Sequence, residues 1–201
     1  GASRTDAGVH ALAQIANFHV TDDEAEEPEK LQKYINQYLP EDIAVTDVVA
    51  AGERFHSRLN ATGKTYEYHL IPYGTYDVFA RKYAWQMTAP LDIEAMREAA
   101  GHILGSHDFR SFCTKAAKKK STIRTIRLLE IFETKNEIVI EITGNGFLYN
   151  MVRILVGTLV EVGMGLRKPD EIPAILEKKE RRYAGETAPA CGLFLKQIYY
   201  E

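Results

Sequence analysis

The sequence predicts an α+β fold in which helices cover one face of a sheet. Three observations predict it. Strand-like and helix-like periodicities alternate along the chain in the order strand, helix, strand, then helix, strand pair, helix and strand. The run Lys64–Leu70 alternates strictly, with Tyr66 and Tyr68 on one side and Thr65, Glu67 and His69 on the other. The run Leu148–Val162 is apolar almost all the way round, so it can only be a helix buried against a larger surface.

Each element follows from local chemistry. A turn on Asp6-Ala7-Gly8 leads into Val9–Val20, whose Ile15, Phe18 and Val20 belong to a β-rich run. Pro28 sits where a helix begins, and Leu31, Tyr34, Ile35, Tyr38 and Leu39 form one apolar stripe that stops at Pro40. Ile43–Ala51 reads as the returning strand. Asp92 is the expected cap of a helix bearing Met96, Ala99, Ala100, Ile103 and Leu104, with Gly105 as its stop. Thr125–Glu133 and Glu137–Thr143 make a strand pair around a turn at Lys135-Asn136. Gly144-Asn145-Gly146 turns the chain into the buried helix. A short helix over Asp170–Lys178 and a strand over Leu193–Tyr200 complete the order.

Length and composition narrow the function classes. The chain of 201 residues, with 45% apolar and 26% charged residues, can bury a sizeable core as one domain or as two small halves sharing one. No apolar run reaches the roughly 18 residues of a membrane span. Two cysteines, Cys113 and Cys191, make no disulfide framework and fit a reducing cytoplasm. The chain opens on Gly1-Ala2-Ser3-Arg4 without a signal peptide or an initiator Met, and so reads as a processed product or a piece of something longer.

The net charge of −3 argues by itself against a nucleic-acid partner, but the charge is unevenly spread. Asp22 to Glu29 holds six acids and no base, and without it the remainder would carry +3. Lys115 to Arg127 holds six bases and no acid, while Lys178-Lys179-Glu180-Arg181-Arg182 is a weaker basic run. Such runs are equally the marks of solvated faces, so charge leaves RNA or DNA open.

Several motifs carry no chemistry. Gly144-Asn145-Gly146 lacks the third Gly of a dinucleotide fingerprint and the Lys-Ser/Thr of a P-loop. His102, His107 and Cys113 lack metal-ligand spacing, and there is no Gly-x-Ser-x-Gly elbow. The unusual feature is Arg4-Thr5-Asp6-Ala7-Gly8-Val9-His10. Asp6 reads either as an Asx-turn or cap, or as a nucleophile or general base displayed on a tight loop beside a guanidinium. Arg153, inside the most apolar helix, requires a carboxylate partner, in a functional or a purely structural ion pair, unless it snorkels to water. Tyr66, following Arg54, Arg58 and Lys64, offers a ring for stacking or simply fills strand core. Spacing alone does not bring these residues together.

Their surroundings do match a family. Ser3-Arg4-Thr5-Asp6-Ala7-Gly8-Val9-His10-Ala11 closely resembles the catalytic signature of the TruA-type tRNA pseudouridine synthases. The likeness continues through Arg54-Phe55-His56-Ser57-Arg58, Lys64-Thr65-Tyr66-Glu67-Tyr68 and His107-Asp108-Phe109-Arg110-Ser111-Phe112. It runs on through Gly144 to Arg153 and Thr187-Ala188-Pro189-Ala190-Cys191-Gly192-Leu193. The blocks keep family order over essentially the whole chain. Ser3 departs from the common Gly, and the strand and helix that members carry before the signature are missing.

The resemblance implies the pseudouridine synthase fold, with two ferredoxin-like halves sharing a mostly antiparallel sheet. Residues 1–53 would be the remainder of the N-terminal half with the catalytic loop, and 54–201 the C-terminal half. It implies isomerisation of uridine to pseudouridine at positions 38, 39 and 40 of the tRNA anticodon stem-loop, by a cytoplasmic homodimer needing no metal or organic cofactor. Asp6 matches the family nucleophile, Arg153 the arginine paired with it, and Tyr66 the residue that stacks on the target base and handles a proton. Arg4 matches the residue that fills the gap left by the flipped nucleotide. Arg58 and Lys64 join Tyr66 and Arg4 as the expected substrate-binding residues. The alternatives are a non-catalytic RNA-binding module of the same fold, a truncated and inactive enzyme, or, more remotely, a hydrolase using Asp6 with His10.

Overall fold

The computed structural model describes residues 1–21, 27–114 and 121–200. Among them, seven strands form one mixed sheet, and four α-helices and several short 3-10 turns connect them. The strands are β1 (His10–Ala11), β2 (Gly63–Ile71), β3 (Trp85–Gln86), β4 (Gly105–Asp108), β5 (Ile123–Glu133), β6 (Ile138–Gly144) and β7 (Leu193–Tyr199). Their order is β1-β7-β2-β6-β5-β4, with β3 beside β2. The pairings β2–β6, β2–β7, β4–β5 and β5–β6 are antiparallel, while β1–β7 and β2–β3 are parallel. The α+β class is therefore as the sequence predicts.

The alternation of β2 decides which side chains face the core. Tyr66, Tyr68 and Leu70 are buried against the helix layer, whereas Glu67 and His69 stand on the opposite face. There Glu67 lies directly across from Glu141, a like-charge pairing that Lys196 neutralises with Nζ contacts of 2.6 and 2.5 Å to the two carboxylates. β7 carries one extra residue against β2 between the partners of Thr65 and Tyr66. This bulge interrupts the ladder beside Tyr66, a usual device for re-aiming a strand side chain.

The helices are α1 (Pro28–Asn36), α2 (Ile93–Gly101), α3 (Met151–Gly163) and α4 (Glu171–Lys178). The expected cap of α2 is present, with Asp92 accepting from the Ala95 amide, and Met96, Ala99 and Ala100 pack inward against α3 and β5. α3 is buried at nearly every position, as its all-round apolar sequence requires. Ile154, Leu155, Val156 and Leu159 meet Tyr68, Leu70, Ile140 and Ile142 in the main core.

Four elements differ from expectation, each for an identifiable reason. Gly105 does not end α2, which stops at Gly101; Gly105 instead adopts φ +98° and opens β4, a short polar strand without an alternation signal. The strand expected over Val9–Val20 pairs only as β1, through His10 with Phe194 and Ala11 with Leu195, because the chain leaves β7 after Ala13. Ile43–Ala51 joins no ladder. Val45 and Thr46 are held by the side-chain amides of Asn36 and Gln32, which take the place of a neighbouring strand. α1 keeps its amphipathic sequence but buries no residue; the exposed rings of Tyr34 and Tyr38 meet at a tilt of 57°, with centroids 5.0 Å apart. Asp22–Ala25 and Glu26 of the acidic run, and Lys115–Lys120 of the basic run, lie outside the described residues.

Candidate active site

The conspicuous loop is a tight turn. The Val9 amide donates to the Asp6 carbonyl at 3.0 Å, and Gly8 takes φ +82°, a left-handed conformation that its missing side chain permits. The turn also abuts Ala190, whose Cβ would stand 3.4 Å from a Cβ on Gly8. Upstream, the loop is pinned from both sides. Ala2 is fully buried and its amide donates to Ile15, while the side chain of Gln14 accepts from the Ser3 amide and donates to the Ser3 carbonyl. Lys64 Nζ donates to the Ala2 carbonyl at 2.7 Å. These bonds give the carboxylate a fixed base.

Arg153 approaches from α3. Its Nη1 lies 3.8 Å from Asp6 Oδ2, an ion pair just outside hydrogen-bond reach. Its Nε donates to the Ala188 carbonyl at 2.7 Å, and the Ala188 amide donates back to the Arg153 carbonyl at 3.1 Å. Nη1 also lies 3.5 Å from Asn150 Oδ1. Asn150 is the cap position of α3, held at φ 60°, a left-handed conformation that asparagine tolerates better than most residues. The requirement that Arg153 find a carboxylate is thus met by Asp6. The segment carrying Ala188 is itself fixed by Tyr68, whose hydroxyl donates to the Pro189 carbonyl at 2.7 Å.

Tyr66 closes the floor. Its ring meets Phe147 edge-on at 5.1 Å and its hydroxyl shares a 2.8 Å hydrogen bond with Ser3 Oγ. Burial raises the Tyr66 phenol above its usual value, against the opposing pull of the Ser3 hydrogen bond, so the ring carries its proton at neutral pH. Burial, with the nearby Arg58 charge adding to it, lowers Lys64.

All six expected site residues, Arg4, Asp6, Arg58, Lys64, Tyr66 and Arg153, line one cavity of about 270 Å³. Four cations surround a single carboxylate there. The N-terminal end of α3 contributes Tyr149 and Asn150 to the same wall, adding the positive end of a helix dipole. Among the described residues, no group of three or more His, Cys, Asp or Glu side chains could hold a metal ion. No helix among them is long and apolar enough to cross a membrane. Sequence reasoning did not single out Ser3, Gln14, Asn150 or Ala188 as site residues. They act through backbone carbonyls and neutral side chains, which leave no charge or spacing signal, although all but Gln14 fall within the motif blocks.

A cationic cavity around one carboxylate and a neutral buried tyrosine, on a mixed sheet of an α+β fold, suits a polyanionic ligand. Comparison with known proteins specifies the class. A family profile described as tRNA pseudouridine synthase matches residues 1–60 and 99–201. The chain is 46% identical over 200 residues to tRNA pseudouridine synthase A 2 of Bacillus cereus (strain ATCC 10987 / NRS 248), covering 100% of this chain and 81% of that protein. It is 43% identical over 200 residues to tRNA pseudouridine synthase A 2 of Clostridium tetani, covering 100% and 80%. To tRNA pseudouridine synthase A 1 of Bacillus cereus (strain ATCC 10987 / NRS 248) it is 43% identical over 202 residues, covering 98% and 79%. The chain belongs to the tRNA pseudouridine synthase family, and so to the isomerases.

Proposed function

We propose that the chain isomerises uridine to pseudouridine at positions 38, 39 and 40 of the tRNA anticodon stem-loop, with Asp6 as nucleophile. The observation that carries this reading is the convergence of Asp6, Arg153 and Tyr66, distant in sequence, on one cavity with a cationic lining. The reading extends to a cytoplasmic homodimer, with residues 1–53 bearing the catalytic loop and 54–201 the rest of the site.

The reaction breaks the bond from C1′ to N1 of uracil and forms one from C1′ to C5. The C5 proton is lost and N1 gains one, so the product is an isomer of the substrate. Attack by Asp6 on the sugar or on the base begins from the same carboxylate lone pair, and Arg153 holds that carboxylate in place. Tyr66 offers a ring for stacking the detached base and a protonated hydroxyl on a relay to Ser3. Drawing the nucleotide out of its stack costs a few kcal/mol. Arg4, exposed and without an ion-pair partner among the described residues, is placed to stack in the vacated space and offset part of that cost.

Asp6→Asn keeps the size and the turn but removes the anionic nucleophile. We expect it to abolish pseudouridine formation in an unmodified tRNA transcript, mapped at nucleotide resolution, while leaving tRNA affinity within about threefold of wild type. Retained turnover would sink the assignment.

A further inference from the structure

Beside the catalytic cavity lies a second recess of about 320 Å³, sharing Arg58, Lys64 and Phe147 with it and adding Arg124, Asn145 and Gly146. Its charged lining is wholly positive: three cations and no carboxylate. None of the three forms an ion pair among the described residues, in a chain whose exposed cations elsewhere often do. Cations gathered without a counter-charge repel one another, and an anion between them relieves that repulsion.

The recess is also built. The Thr125 amide donates to Asn145 Oδ1 at 2.9 Å and the Asn145 amide donates to the Thr125 carbonyl at 3.1 Å, so the 144–147 turn is tied to the start of β5. Arg124 is steered by its own turn, with Nη1 donating to the Ser121 and Ile123 carbonyls. It lies across Gly146, where a Cβ would stand 3.7 Å from its Nε. This leaves the guanidinium oriented by the protein, with donors still free for a ligand.

We propose that this recess is a phosphodiester subsite, in which Arg124 together with Arg58 and Lys64 holds the backbone phosphate next to the target nucleotide. The proposal rests on RNA being the ligand of the adjoining cavity. A nucleotide drawn into that cavity leaves its strand at the rim, and the rim shared by the two hollows is Arg58, Lys64 and Phe147. Phosphates are the anions an RNA strand carries there, and guanidinium groups recognise them through paired N–H donors. Arg124 would thus be a positioning residue, fixing the strand so that the base reaches Tyr66 and Asp6.

The test is equilibrium binding of an unmodified anticodon stem-loop RNA by the wild-type chain, Arg124→Gln and Arg124→Lys over a range of chloride concentrations. Affinity is read whether or not the RNA is isomerised, so failure of the proposed chemistry and failure of this subsite are separately visible. Arg124→Gln is expected to weaken binding about tenfold. It should also flatten the slope of log affinity against log salt by about 0.7 to 1, the signature of one lost phosphate contact. Arg124→Lys should recover the slope. In turnover assays the Arg124→Gln defect should appear mainly in KM. A single neutral methylphosphonate linkage beside the target uridine should weaken the wild type by a similar factor and leave Arg124→Gln little affected. Equal affinities and slopes for wild type and Arg124→Gln would overturn the proposal. So would independent, multiplying losses from the substitution and the neutral linkage, or failure of Arg124→Lys to recover the slope, which would assign the defect to the turn. Tight binding of inorganic phosphate to the wild type alone, with unchanged RNA affinity in Arg124→Gln, would give the recess to a free phosphate instead.

Discussion

Arg153 serves two structures at once: one edge of its guanidinium faces Asp6, while Nε is committed to the Ala188 carbonyl. Its removal is therefore expected to affect chemistry and folding through different atoms. We expect Arg153→Leu to lower turnover by on the order of 10²-fold or more, because the carboxylate loses the cation that orients it. We also expect about 1–3 kcal/mol of lost stability, from an orphaned carbonyl in a part-buried place. Single-turnover kinetics and urea unfolding measure the two separately, and wild-type values in both would refute the pairing. The need for a carboxylate partner was legible in the sequence, since a charge inside an apolar helix demands one. Which carboxylate was not legible from physics, because residues 6 and 153 share no local period; the motif resemblance supplied that link. Arg124 stood in the sequence only as one base in a run, and its position over Gly146 depends on a turn pinned between strands.

At the scale of elements, α3 shows how a helix can be specified by what must pass over it. The 186–188 segment crosses it so closely that a Cβ on Gly157 would lie 2.0 Å from the Glu186 carbonyl oxygen. Backbone cannot yield there without carrying Ala188 away from Arg153. Gly157→Ala is expected to cost at least about 3 kcal/mol, despite the better helix propensity of alanine. A urea midpoint equal to wild type would contradict the crossing. Elements whose evidence lies within their own residues, such as the all-round apolar α3 and the alternating β2, were readable. Those that depend on a distant neighbour were not. Ile43–Ala51 has strand-forming residues, yet hydrogen bonding is a property of pairs, and its carbonyls are claimed by Gln32 and Asn36 instead. β4 is the converse case: Gly105-Ser106-His107-Asp108 has little strand character, and its pairing with β5 determines it.

Across the whole molecule, packing is distributed unevenly. The core joins β2, β5, β6 and β7 to α2, α3 and α4, whereas residues between Leu12 and Leu59 expose Leu12, Phe18, Tyr34, Tyr38, Ile43, Val49 and Leu59. Backbone hydrogen bonds with little apolar cover open locally at small cost. Amide hydrogen exchange should therefore find α1 near the unprotected limit, while β6 and α3 open only with global unfolding. Equal protection in α1 and α3 would show that the unevenness carries no energetic weight. The same unevenness qualifies the net charge of −3: the surface that matters to an RNA is the local one around the two hollows, which is cationic.

One feature of the sheet order bears on how the protein comes into being. Among the described strands β7, the last in sequence, lies between β1, the first, and β2. Asp6 is displayed just ahead of β1, and the Ala188 carbonyl that seats Arg153 lies just ahead of β7. During synthesis, then, Asp6 emerges long before the segment that seats Arg153 against it. An incomplete nascent chain would possess the carboxylate without the chamber around it.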